Sequence, residues 1–131
     1  MNPYTYLERL ENTLYSRQDI YIEELRIQFK GLSVLFRATL WFQDNSRLNI
    51  LEELKRNERR GLQRLKFRYH YQRVDDSLIF RYDNSPHYPH LATFPAHKHV
   101  GDHVIAAEPP DLADVLREID AISYSRTDEQ P

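Results

Sequence analysis

Residues 65–74 and 77–83 each alternate polar and apolar side chains, and Asp75-Asp76 stands between them. No other feature of the chain restricts its fold as tightly. If the two aspartates form a two-residue hairpin turn, the ladder pairs Arg68 with Asp83, Tyr69 with Tyr82, His70 with Arg81 and Tyr71 with Phe80. Successive strand side chains point to opposite faces, so Arg68, His70, Gln72, Arg81 and Asp83 share one face. Tyr69, Tyr71, Phe80 and Tyr82 share the other. The first face is chemical and the second is core. All six histidines lie between Leu65 and His103.

The rest of the chain supplies a scaffold for this hairpin. Tyr4, Leu7, Leu10 and Leu14 recur at helical spacing and predict a helix over 4–15, with Pro3 near its first turn. Leu25, Ile27 and Phe29 alternate with Arg26 and Gln28, which predicts a strand over 20–29, and Glu23-Glu24 breaks the alternation as a bulge would. After Lys30-Gly31, the most apolar run predicts a central strand over 33–42. Asp44-Asn45-Ser46 is a hairpin turn into a strand over 47–51. Residues 52–63 are so charged that they read as an exposed connection or a short helix ending near Gly61. Pro86, Pro89 and Pro95 make 84–104 a histidine-rich loop. Pro109-Pro110 opens a helix over 111–122, and 123–131 read as a frayed tail. The expectation is a single α+β domain over 1–131. It has a five-stranded, mainly antiparallel sheet, a meander plus a hairpin, packed by N- and C-terminal helices.

A chain of 131 residues with no cysteine is long enough to bury a core without disulfides, which suits a reducing cytoplasm. Its first residues lack the basic and apolar pattern of a signal peptide, and no apolar run reaches the roughly 20 residues that span a bilayer. The net charge of −2 argues against a uniformly basic nucleic-acid binder. Its distribution is uneven, however. Lys55, Arg56, Arg59, Arg60, Arg64, Lys66, Arg68 and Arg73 face only Glu58, whereas the chain beyond Glu108 is predominantly acidic. A phosphate backbone or plain solvent would suit that basic stretch equally well.

Histidine and arginine together suit metal-free cleavage of RNA. That reaction needs a base for the 2′-hydroxyl proton, an acid for the leaving oxygen and cations for the phosphorane. His70, His87, His97 and His99 are the acid/base candidates, and Arg68, Arg81 and Lys98 the phosphate-binding ones. No cofactor is expected. Two other readings stay open. Imidazoles of the His97/His99 and His87/His90 pairs could converge on a metal ion, although the spacing matches no recognised zinc motif. The loop could equally serve a non-enzymatic protein-interaction module, with Arg68 and Asp83 an ordinary ion pair and Asp83-Asn84 the start of a turn.

Two motifs, RYDNSPH (Arg81–His87) and FPAHKH (Phe94–His99), together with the YHYQ strand, resemble the TumE family of toxin-antitoxin proteins. The resemblance is close over Tyr69–Val104 and looser elsewhere. It implies a small toxin of a type II system, masked by a cognate antitoxin. Matched to the motifs are Arg81, Asp83, Asn84, Pro86, His87, Phe94, Pro95, His97, Lys98 and His99, of which Asp83, Asn84, Pro86, Phe94 and Pro95 are expected to be structural or orienting. Tyr88 and Ala96 depart from the family pattern, where many members carry a second histidine. RNA is the expected substrate, and a homo-oligomer remains open.

Overall fold

The computed structural model describes residues 3–57 and 61–128. Glu58, Arg59 and Arg60 of the charged stretch, and 129–131 of the expected tail, lie outside the described residues. In chain order the elements are α1 (Pro3–Tyr15), β1 (Ile20–Lys30), β2 (Ser33–Phe42), β3 (Arg47–Asn57), β4 (Gly61–Gln72), β5 (Leu78–Asp83), β6 (His97–Val100), β7 (His103–Ala106) and α2 (Leu112–Asp128). The strands form one sheet in the order of the sequence, each antiparallel to the next. The architecture is α+β with two helices, but the sheet has seven strands rather than five.

The two additional strands come from the segment expected to be a loop. His97–Val100 and His103–Ala106 pair with each other, and His97–His99 also pair with β5. Gly101-Asp102 forms the turn between them, with Gly101 at φ 60°. The charged stretch is corrected as well. Its first half completes β3 and its last residues begin β4. Charge misleads there because Glu52 and Leu54 face the core and are fully buried. β2 is therefore not central but lies one strand in from the β1 edge. α2 runs through to Asp128 instead of stopping at 122.

The β4–β5 register is the one the alternation predicts, from Arg68 opposite Asp83 to Tyr71 opposite Phe80. The turn itself is one residue wider. Arg73 N–H donates to Ser77 O and Asp76 N–H to Arg73 O, leaving a three-residue loop with Asp76 at φ 70°. A register shift between Tyr71 and Gln72 absorbs the difference. The β2–β3 turn repeats the design with Asn45 at φ 64°. In both turns an aspartate, Asp44 or Asp75, accepts the backbone N–H and the hydroxyl of a serine two residues on.

Both helices pack on one face of the sheet. Leu7, Leu10 and Leu14 of α1 and Leu112, Val115, Leu116 and Ile119 of α2 join Phe36, Leu40, Leu48, Tyr69, Tyr71 and Phe80 in a single core. Tyr4, expected on the apolar stripe of α1, stays exposed with its ring 6.3 Å from Phe29. Asp111 and Asp114 cap α2 reciprocally, each carboxylate accepting the other's backbone N–H. Arg17 ties the end of α1 to α2 through Asp120, at 2.7 Å. The expected bulge in β1 is present between Ile22 and Glu24. No helix among the described residues is long and apolar enough to cross a membrane.

Candidate functional site

The uncovered sheet face carries two cross-strand rows, because residues directly opposite in neighbouring strands share a face. One row runs Arg26, Arg37, Leu51, Arg68, Asp83, His97 from β1 to β6. The adjacent row runs Glu24, Thr39, Asn49, His70, Arg81, His99. Arg81 therefore stands between two imidazoles, with His70 opposite it on β4 and His99 opposite it on β6. A cleft of about 310 Å³ opens along these rows, lined by Arg37, Thr39, Asn49, Arg68, His70, Gln72 and Arg81 among others.

Asp83 organises the β5–β6 end. It is 3% exposed, so its charge needs partners, and it has four. Arg81 Nε lies 3.0 Å from Oδ2, His97 Nε2 3.0 Å from Oδ1 and His99 Nε2 3.5 Å from Oδ2, while Ser85 donates its backbone N–H to Oδ1. Burial works against the charged form, but the Ser85 amide, His97 and Arg81 outweigh it and hold the carboxyl below the usual aspartate value. The turn expected at Asp83-Asn84 is thus made by the same carboxylate that gathers the imidazoles. Arg68, opposite Asp83 in the ladder, makes no ion pair with it.

His97 and His99 differ in access. His97 is 1% exposed, with Nε2 on Asp83 and Nδ1 2.9 Å from the Pro95 carbonyl. Both nitrogens face acceptors, so the ring is held at both ends. His99 remains partly open. Burial pushes its imidazole below the ordinary value, Asp83 opposes that, and His97 and Arg81 add to it. His70 is lowered for similar reasons, first by burial and then by Arg81 and Arg68. The guanidinium of Arg68 is itself pulled down by burial and by the nearby charges of Arg81 and Arg37. Cations are crowded here.

The remaining sequence candidates fall in several places. Asn84 extends the ladder past β5, its Oδ1 accepting Phe67 N–H and its Nδ2 donating to Leu65 O. Pro86 and Phe94 are exposed, and Pro95 follows a cis peptide bond. His87 is exposed, its ring 6.5 Å from that of Tyr88. Lys98 points to the opposite face of the sheet, where Glu118 of α2 holds it at 2.7 Å. That carboxylate also accepts the Tyr82 hydroxyl, and Lys98 Nζ lies 5.0 Å from the Tyr82 ring centroid. The structure therefore separates Lys98 from the imidazoles that flank it in sequence.

Sequence reasoning missed Tyr88 and the contribution of β1–β3. The Tyr88 ring packs edge-on at 4.8 Å from His97 and 5.9 Å from His99, bringing the 84–96 loop against the imidazoles. Arg37, Thr39 and Asn49 alternate on the polar side of their strands, which the sequence does show, but which row each joins depends on the register across three strands. Asp83, His97 and His99 also present ligand atoms within 4.8 Å of one another, a set that could hold a divalent cation. The Pro95 carbonyl on Nδ1 is the kind of partner that orients a ligating histidine. The Arg81 guanidinium would compete with that cation for the same carboxylate.

In class, the molecule is a two-layer α+β domain with one face covered by helices and the other lined with arginine and imidazole. The family model described as Toxin TumE matches residues 7–123, and the chain belongs to the TumE toxin family. No curated protein matches it, and no solved structure does.

Proposed function

We propose that this toxin is a metal-independent endoribonuclease, acting on RNA in the cytoplasm and held inactive by a cognate antitoxin. The observation that carries the reading is the row His70–Arg81–His99 on three neighbouring strands. A phosphodiester seated on Arg81 has an imidazole on each side. One imidazole takes the proton of the 2′-hydroxyl as its oxygen attacks phosphorus. The other donates a proton to the departing 5′-oxygen, giving a 2′,3′-cyclic phosphate and a new 5′-hydroxyl. Burial lowers both imidazoles; His70, lowered further by Arg81 and Arg68, suits the base, and His99, where the Asp83 carboxylate opposes the lowering, is the better placed of the two to act as the acid. Arg81 and Arg68 stabilise charge on the phosphorane. His97, buried with both nitrogens engaged, positions Asp83 instead of meeting substrate. His87 and Lys98 have no part in this arrangement.

The test is cleavage of an RNA oligonucleotide by purified toxin freed of antitoxin. Wild type should leave 2′,3′-cyclic phosphate ends in the presence of chelator, and His70→Gln and His99→Gln should each slow cleavage about 10²–10⁴-fold. A second reading is favoured by the convergence of Asp83, His97 and His99. Cleavage abolished by chelator and restored by a divalent cation would transfer the chemistry to that set. A folded, antitoxin-free protein that leaves RNA intact would point to an interaction module.

A further inference from the structure

The Arg81 and Asp83 rows do not stop at the proposed cleavage site, and their far end makes little sense as scaffold. Arg26 on β1 stands directly opposite Arg37 on β2. Like charges facing each other across an antiparallel pair destabilise it, so a face shaped for stability alone would separate them. Arg37 and Arg68 make no ion pair among the described residues, and the one contact of Arg26, to Glu24, is long at 3.6 Å. On the same face, about 13 Å further along the strands and past Glu24 and Thr39, lie Tyr21 and Trp41, also opposite each other, with the Arg47 guanidinium 5.1 Å from the Trp41 ring centroid. Tyr21 is 66% exposed. Cations along a groove with aromatic rings next to it are what a single-stranded nucleic acid requires, the cations for phosphates and the rings for stacking bases.

We infer that single-stranded RNA lies across the strands, with Arg37 and Arg26 binding phosphates beyond the scissile one and Tyr21 and Trp41 receiving a base. The inference rests on the ribonuclease reading for where the scissile phosphate sits. At the usual spacing of ~4.8 Å between strands, the track from β1 to β6 is about 24 Å long, room for several nucleotides. Along that length guanidinium groups stand at Arg26, Arg37 and Arg68, with the buried Leu51 between the last two. A stretched acidic peptide would use the cations but not the rings, which is why RNA is the favoured occupant.

Binding of fluorescent 2′-O-methyl oligonucleotides tests this, because they lack the attacking hydroxyl and stay intact. An octamer should bind the toxin more tightly than a dinucleotide and with a steeper dependence on salt. The Arg26→Gln/Arg37→Gln double variant should lose that advantage. Its slope of log affinity against log salt should be shallower by about 1.4, at roughly 0.7 for each of two phosphate contacts. Dinucleotide binding should fall by much less than octamer binding, since Arg37 borders the cleft without facing the Arg81 position directly. The Arg26→Lys/Arg37→Lys variant should keep most of the slope, which separates lost charge from lost fold. Equal affinity for octamer and dinucleotide, or an unchanged slope in the glutamine variant, would overturn the track while RNA cleavage by wild type kept the ribonuclease reading. Length-dependent binding without any cleavage of unmodified RNA would support the track and remove the ribonuclease reading. If the glutamine variant loses affinity for antitoxin but not for the octamer, the face belongs to the protein partner and the RNA track is overturned.

Discussion

Glu52 is a carboxylate with no exposed surface in the middle of the helix-covered core. Tyr6 of α1 donates its hydroxyl to Oε1 and Tyr69 of β4 donates to Oε2 at 2.8 Å, while Arg64 bonds the Tyr69 oxygen and the Pro110 carbonyl. One side chain thus joins the first helix, two central strands and the entry to the second helix. Burial pushes its carboxyl above the ordinary 4.5, and the two hydroxyls and Arg64 only partly reverse this. A folded-state value above the unfolded one means that the group's contribution to stability is complete below 4.5 and is lost as pH rises through the folded value. Glu52→Gln removes that loss. Its stability relative to wild type should therefore rise between pH 5 and pH 7.5, as read from urea midpoints at the two pH values. Parallel changes in the two proteins would show that Glu52 does not titrate in this range. Glu52→Leu strands the two tyrosine hydroxyls and should cost about 1–3 kcal/mol at pH 5, and less at pH 7.5, because leucine too removes the titration.

Among the elements, the β6–β7 hairpin matters most to the site because it carries His97 and His99. Its turn depends on Gly101 at φ 60°, where an added Cβ would meet nothing within 4 Å. Substitution there tests backbone conformation apart from crowding. Gly101→Ala should cost about 1–2 kcal/mol in denaturant unfolding, the usual penalty for a side chain in left-handed backbone, and Gly101→Asn less. Equal stability of all three proteins would mean that the turn relaxes to another form. The same hairpin shows what sequence can and cannot reveal. The β4–β5 ladder was legible because Tyr69, Tyr71 and Phe80 alternate with charged and polar residues over a full strand length, and its register followed even though the turn is one residue wider. His97–Val100 and His103–Ala106 are only four residues each, too short for alternation to stand out after three prolines. The Gly-Asp pair between them was the available signal. At 52–57 the signal was present but inverted. Leu54 alternates correctly, and Glu52 disguises the strand because its charge is met by tyrosines distant in sequence. For the site, shared strand faces were readable within each hairpin, whereas the rows reaching back to Arg26 required the whole sheet. Lys98 illustrates the same limit, since its alternation away from His97 and His99 was visible but its partner Glu118 on α2 was not.

At the scale of the molecule, consecutive strands are neighbours throughout, both helices lie on one face, and the two sheet edges are treated differently. β7 is short, which limits what can pair with it. β1 has 11 residues and borders the exposed Tyr21, Phe29 and Leu32, a combination that invites another strand to add on. The bulge at Glu23 interrupts it. Ile20 and Ile22 pack against the core before the bulge, and Leu25 and Ile27 after it. Deleting Glu23 leaves Ile20, Ile22, Leu25 and Ile27 in unbroken alternation, so the same apolar side chains stay inward while the edge becomes regular. The deletion variant should fold with a sheet like that of wild type. At equal concentration it should be more associated in sedimentation velocity, because a straight ladder of free N–H and C=O groups replaces a twisted one. A folded variant that sediments like wild type would assign protection of this edge to its charged residues, Glu24, Arg26 and Lys30, rather than to the bulge. A variant that fails to fold would mean that the extra residue is needed to fit β1 to β2. The regular-edge variant also separates two properties that share β1, since Arg26 keeps its face and the RNA track should survive even as the edge begins to pair.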